Sequence, residues 1–323
     1  MLGCCRELIL AAAAVALFGA SSRAENPPAS GSPPESLAAG LSPTEDAQGG
    51  LETSAVRQAA RVDASERGLS VLDVRPIREQ ERSARWAVVV GRSVDSGDKP
   101  FKEISDVALL MYVGDGTSCR SVSSRGPLVD PRHTDWPASS VTLQCIDLNN
   151  DGTDEVMVDQ GRVGASWTPG CAFVFRVRAK GFALVGTITS HYEIRVRDLD
   201  GDNRREIPST YAIGTTMPHS AQPRWTDYYG YNGRRMALVN SRLSAQFPEW
   251  PAQLKRALAK HPDDPELLFF LGYSYGILGR DREAKGAFAK ARSLGYRKPD
   301  RRALQAGIEV EEEIPANAAL PSR

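Results

Sequence analysis

"DLNNDGTDEV" at residues 147–156 and "DLDGDNRREI" at residues 198–207 carry oxygen-bearing side chains at the same offsets. These are Asp147, Asn149, Asp151 and Glu155 in the first, and Asp198, Asp200, Asp202 and Glu206 in the second, 51 residues later. Crowded acidic groups repel one another, and a solvated turn tolerates that because water screens charge. Acidic turns also discourage edge-to-edge pairing of β-sheets. One such loop is explained by solvation about as well as by metal binding; the second, with the same spacing, asks for a shared structural cause.

Outward from the loops the apolar pattern has period two. The runs LSVLDVR (69–75), RWAVVVG (85–91), DVALLMYV (106–113), VTLQCIDL (141–148), EVMVDQG (155–161), CAFVFRV (171–177), FALVGTI (182–188), YEIRVRDL (192–199) and YYGYNGRRMALV (228–239) are short and rich in β-branched and aromatic residues. Turn signals such as GDG, AKG, NDG and YNG separate them. In CAFVFRVRAKGFALVG, the residues Cys171, Phe173, Phe175 and Val177 share one face, and RAKG reverses the chain. Each acidic loop therefore belongs to a larger unit of strand, loop, strand and hairpin, the kind of repeat that builds solenoids and propeller blades. A degenerate unit is expected one period upstream, where VDSGDKPFKEI (94–104) keeps Asp95 and Asp98. The fold expectation is mainly β: an antiparallel, partial β-propeller-like domain over 69–243, with too few units to predict a closed ring.

Side-chain oxygens at positions 1, 3 and 5, a backbone carbonyl at 7 and a carboxylate at 9 let a tight loop wrap a hard cation, if position 6 tolerates left-handed dihedrals. Gly152 supplies that position in the first loop and Asn203 in the second. The expected ligands are Asp147, Asn149, Asp151, the Thr153 carbonyl and Glu155 in one site, and Asp198, Asp200, Asp202, the Arg204 carbonyl and Glu206 in the other. An all-oxygen set of this size suits Ca2+ better than Mg2+, and the lack of a Cys and His cluster disfavours zinc. An EF-hand needs a bidentate Glu at position 12 and flanking helices; here position 12 is Val158 or Ser209, and the flanks read as β.

These loops resemble the FG-GAP and VCBS repeats of the integrin α-subunit type, whose blades carry Asp-x-Asp/Asn-x-Asp-Gly-x-x-Asp followed by an aliphatic strand. The resemblance covers about residues 85–240, with Glu155 and Glu206 in place of the family's last Asp and Asn203 in place of its Gly. It implies a propeller-like fold, calcium held on outer loops, and an adhesion or interaction role.

After PEW the period changes to 3.6. Asp264 reads as an N-cap with Pro265 in the first turn, Gly279 as a stop, Asp281 as a second start and Gly295 as a second stop. Leu268, Leu271, Gly272, Tyr275, Ala284, Phe288 and Ala291 fall at the offsets of a tetratricopeptide repeat, the small residues letting two helices approach while Phe288 fills the groove. Trp250, Leu254 and Ala257 match the second helix of a preceding repeat, and PDRRALQAGIEVEEEI reads as a capping helix. About three repeats are needed for independent stability, so the segment 246–314 is expected to pack on the β domain or on a partner, ahead of a tail at 315–323.

At the other end, Arg6 precedes the apolar run LILAAAAVALFG, and Ser22-Arg23-Ala24 offers small residues for cleavage. Residues 1–24 read as a secretory signal peptide, cleaved near Ala24, which places the mature chain in a secreted or periplasmic setting. Cys4 and Cys5 precede the apolar run, unlike a lipoprotein box. No run approaches the about 20 apolar residues of a membrane span. Residues 25–60 begin with a Pro/Ser/Gly-rich stretch and read as a disordered linker, with a short helix over TSAVRQAARV (53–62) leading into the first strand.

The 40 basic and 40 acidic side chains cancel, so no global field recruits nucleic acid or an anionic membrane. Beyond the signal, Cys119, Cys145 and Cys171 allow at most one internal disulfide, with Cys145 and Cys171 equally readable as buried hydrophobes. His133, His191, His219 and His261 are scattered, and no nucleophile elbow, phosphate loop or dinucleotide fingerprint occurs. The leading expectation is a calcium-binding interaction or scaffold protein with a protein partner, its calcium structural rather than catalytic. The alternatives are a carbohydrate-binding module using Trp167, Trp225, Tyr228, Tyr229 and Tyr231, and a hydrolase with an unrecognised site.

Overall fold

Alternation along the strands sorts the apolar residues of this protein into successive layers. A computed structural model describes residues 47–78, 84–94, 102–114, 118–130, 137–163, 169–218 and 221–296, all within one compact unit, Glu45–Arg323. The first sheet is an antiparallel meander of β1 (Ser70–Ile77), β2 (Ala84–Val94), β3 (Glu103–Gly114) and β4 (Cys119–Arg125); the second joins β5 (Ser140–Ile146), β6 (Glu155–Gly161), β7 (Gly170–Arg178) and β8 (Gly181–Ser190) in the same way. The third holds β9 (Glu206–Ala212), β10 (Arg224–Tyr231) and β11 (Met236–Leu238).

Ala87 and Val89 of β2 and Leu109 and Met111 of β3 share a core with Val156, Val158, Phe173 and Phe175 of the second sheet. The opposite face of that second sheet, with Met157, Ala172 and Val174, packs with Ile207 and Tyr231 of the third. Period two thus puts alternate residues of β6 and β7 into two different cores. The outer face of the first sheet, Trp86, Val88, Val90, Leu110 and Tyr112, is covered by Val56, Ala60 and Ala64 of helix α1 (Ala47–Glu66). Their four-residue spacing is one stripe of a helix. The linker expected through residue 60 therefore gives way to helix from Ala47, because these small apolar residues bury against the sheet; residues 1–46, including the signal segment, lie outside the described residues.

The third sheet divides one face between two neighbours. Ile207 and Tyr231 sit at the end facing the second sheet, while Tyr211 and Trp225, paired at the other end, join the core of helices α2 (Trp250–Lys260), α3 (Pro265–Ile277) and α4 (Asp281–Ser293). The C-terminal helices pack on the β-sheet as expected. Helix α3 is buried on nearly every side, which fits a central core element rather than one of an exposed repeat. Asp264 caps it, accepting from the N–H of Glu266 and of Leu267 at 3.0 Å each, and ties it to the third sheet's exit loop through Thr216. Gly279 and Gly295 take left-handed dihedrals just past α3 and α4. The capping helix and tail expected beyond 296 lie outside the described residues. No helix among the described residues is long and apolar enough to cross a membrane.

One strand expectation is corrected. YEIRVRDL (192–199) forms no strand: only Arg197 bridges β9, exchanging both backbone hydrogen bonds with Glu206. Two residues on, at the next bonding position, stands Pro208, which has no N–H to donate. Further along, the Thr210 backbone turns to Ser190 and His191 instead. The degenerate unit expected at 94–104 falls between β2 (to Val94) and β3 (from Glu103), and its Asp95 and Asp98 lie outside the described residues. The sheets form no closed ring among the described residues, so the propeller expectation reduces to stacked antiparallel meanders.

A Cβ on Gly272 would stand 2.7 Å from Phe288 Cδ1. Gly272→Ala should therefore push α3 and α4 apart and lower stability by about 1–3 kcal/mol, read as a reduced midpoint in urea unfolding; Gly286→Ala, facing open space, is the control that should not. Asp159 is a second test. Burial, with Glu193 adding to it and Arg162 opposing, raises its carboxyl to about 6, and its Oδ1 is buried without a hydrogen-bond partner. A carboxyl whose folded pKa lies above its unfolded value opposes folding once ionised. Asp159→Asn should accordingly raise the melting temperature at pH 8 and lose that advantage by pH 4.

Candidate metal centre

The two acidic loops occupy comparable places, one running from β5 into β6 and the other from Arg197 into β9. Their hydrogen bonds largely repeat, position 1 accepting from the N–H groups of positions 5 and 6 in the first loop and of positions 4 and 6 in the second. At position 1, Asp147 accepts from the N–H groups of Asp151 (3.1 Å) and Gly152 (2.8 Å), and Asp198 from those of Gly201 (2.7 Å) and Asn203 (3.0 Å). At position 5, Asp151 accepts from Thr153 N–H and Asp202 from Arg204 N–H. At position 9, Glu155 Oε2 accepts from Leu148 N–H (3.1 Å) and Glu206 Oε2 from Leu199 N–H (3.0 Å). Positions 4 and 6 both take positive φ: Asn150 and Gly152 in the first loop, Gly201 and Asn203 in the second. The expectation for position 6 holds, and position 4 joins it.

The loops also link the layers. Asp154 N–H donates to the Arg78 carbonyl at 3.0 Å, from the first loop to the end of β1; Arg205 N–H, at the equivalent position, donates to the Leu148 carbonyl of the first loop at 2.9 Å. Gln246 Nε2 then donates to the Leu199 carbonyl of the second loop at 3.0 Å. A column of loops thus runs along the junctions of the sheets. Asp154 strengthens it, accepting from Arg78 N–H at 2.8 Å.

Glu155 and Glu206 are both buried. Desolvation raises the Glu155 carboxyl to about 7, against the Leu148 N–H and Arg176, with Asp151 and Asp147 adding to the rise. Glu206 is raised for the same primary reason, opposed by Leu199 N–H and by Arg242. A buried carboxylate among others is stabilised by a nearby cation.

The fit to a cation differs between loops. In the first, Asn149 Oδ1, at position 3, is buried and has no hydrogen-bond partner, while Asn149 Nδ2 donates to Asp151 Oδ2 at 2.9 Å. A buried amide oxygen left without a donor, in a loop that also carries Asp147, Asp151 and Glu155, is a suitable Ca2+ ligand. Accepting backbone N–H bonds leaves Asp147, Asp151 and Glu155 further lone pairs for a metal. In the second loop, oxygens of Asp198, Asp200 and Glu206 lie within 4.8 Å of one another, the one such acidic group among the described residues. Arg242, after β11, reaches Asp200 (Nε, 3.3 Å), Asp202 (Nη1, 3.1 Å) and Glu206 (Nη2). Arg242 is a participant that local spacing missed, because it lies outside the motif.

The remaining candidates divide. Trp225 and Tyr231 are core side chains; Trp225 Nε1, Tyr211 and Asn240 donate to the buried Asp227 carboxylate, so neither ring forms a sugar platform. Tyr228 stacks on Phe247, which stacks on Trp250. Trp167, His133 and His219 lie outside the described residues. Cys119, Cys145 and Cys171 are not joined in a disulfide, with Cys171 in the core and Cys145 partly packed against it. His261 caps the C-terminus of α2.

Asp154→Ala would remove the carboxylate that Arg78 N–H donates to, a loss of about 0.5–1.5 kcal/mol for one part-buried hydrogen bond. The expected outcome is a lower melting temperature with faster amide exchange at Arg78 than in the wild type; unchanged exchange there would remove the loop column as a stabilising element. Neither a protein-family model nor a curated protein matches this chain, so the geometry of the loops carries the functional reading.

Proposed function

We propose that this is an extracytoplasmic calcium-binding interaction or scaffold protein in which Ca2+ is structural. The observation that carries the reading is the buried, partnerless Asn149 Oδ1 beside Asp147, Asp151 and Glu155, in a loop whose hydrogen-bond pattern recurs around Asp198–Glu206. A divalent ion there would be held by Asp147, Asn149, Asp151 and Glu155, with the Thr153 carbonyl as the backbone ligand. It would neutralise clustered carboxylates, one of them buried, and fix a loop whose neighbouring Asp154 is hydrogen-bonded to the first sheet. The resemblance to FG-GAP and VCBS repeats supports the same assignment and an interaction role, and the apolar run before Ala24 supports export. A cation placed where layers meet rigidifies a display surface; nothing in that role requires turnover.

Thermal melting with Ca2+ and with chelator tests the reading. A ligand that binds only the folded state stabilises by RT ln(1 + [L]/Kd), about 2.7 kcal/mol at a hundredfold excess over Kd. The wild type should melt several degrees higher in millimolar Ca2+ than in chelator, and Asp147→Ala should melt at one temperature in both. Coincident wild-type curves would refute the calcium assignment.

A further inference from the structure

We infer that Arg242 is the resident cation of the second acidic loop, a guanidinium standing where the first loop is suited to a metal ion, so that the chain takes up one Ca2+ rather than two. Three nitrogens of the one guanidinium contact three carboxylates of the loop: Nε with Asp200 at 3.3 Å, Nη1 with Asp202 at 3.1 Å and Nη2 with Glu206. Those residues hold positions 3, 5 and 9, the same positions as Asn149, Asp151 and Glu155 in the first loop. Glu206 is fully buried, whereas the Arg242 side chain is 34% exposed, so the charge enters from the surface and reaches a carboxylate that water does not. A planar fork with several donors suits such a cluster better than an ammonium.

The backbone supplies an independent reason. Leu148 O of the first loop accepts from Arg205 N–H of the second, and Leu199 O of the second accepts from the Gln246 side chain. The segment Arg242–Gln246 therefore stands after the second loop where the second loop stands after the first. At this place in the column a side-chain amide meets the carbonyl and a guanidinium meets the carboxylates. Each carboxylate at positions 3, 5 and 9 has one oxygen on the guanidinium and the other on a backbone N–H, so a Ca2+ ion there would compete directly with Arg242 for the same carboxylates.

The role of Arg242 builds on the cation-loop reading above, and equilibrium dialysis with radioactive Ca2+ separates the two. The full chain should bind one ion; Asp147→Asn should abolish it, and Asp200→Asn with Asp202→Asn, in the presence of Arg242, should leave it unchanged. Arg242→Gln should gain one ion, lost again when Asp200→Asn is added. A wild type that binds none, with one gained in Arg242→Gln, would refute calcium in the first loop and sustain the arginine. Two ions in the wild type, loss of an ion in the Asp200→Asn and Asp202→Asn protein, or no gain in a folded Arg242→Gln protein would overturn it. If Arg242→Gln unfolds in chelator, recovery of its melting transition in millimolar Ca2+, with none in equal Na+, supports the substitution, and no recovery contradicts it.

Discussion

The structure depends on a glutamate held out of water at the end of each acidic loop. Glu155 and Glu206 close their loops by accepting the N–H of the second loop residue, Leu148 or Leu199, and both carboxylates are buried. Burial of a charge is unfavourable unless a hydrogen bond and an opposite charge accompany it. The N–H provides the first. Arg242 provides the second for Glu206; for Glu155 the ion proposed above would provide it, in the loop of the partnerless Asn149 Oδ1.

From that constraint follows the way the layers are joined. The first loop runs from β5 into β6 and the second from Arg197 into β9, and the eighth residue of each donates a backbone N–H to the layer before it, Asp154 to Arg78 and Arg205 to Leu148. Neutralising a loop therefore also orders the seam between sheets. The open ends of such a stack need cover. Helix α1 lays Val56, Ala60 and Ala64 over the first sheet, and the third sheet gives Tyr211 and Trp225 to the helical core around α3. Helices thus cover the outer apolar faces of the first and third sheets.

The sequence made some of this legible and hid the rest for physical reasons. EVMVDQG and CAFVFRV alternate between two cores, so their period-two signal is strong, and both are strands. The cap at Asp264 and the close approach at Gly272 are local features and were readable from residue type alone. The strand β4, CRSVSSR, is a largely exposed edge with little apolar alternation, and β9 is masked by Pro208, whose missing N–H also unpairs the segment before it. Trp225 looked like a surface aromatic because burial by a helix some 45 residues later leaves no local trace. Arg242 was invisible for the same reason: its partners Glu206, Asp202 and Asp200 lie 36, 40 and 42 residues earlier. Ligand spacing revealed the loops, while the occupant of the second depended on tertiary contact.

The most direct measurement is an anomalous difference map from crystals grown in millimolar Ca2+ and collected at long wavelength. The account predicts a single peak in the first loop, about 2.3–2.6 Å from oxygens of Asp147, Asn149, Asp151 and Glu155, with the Arg242 guanidinium still seated among Asp200, Asp202 and Glu206. An ion in the second loop with Arg242 displaced, or no ion between the carboxylates of the first, would contradict it.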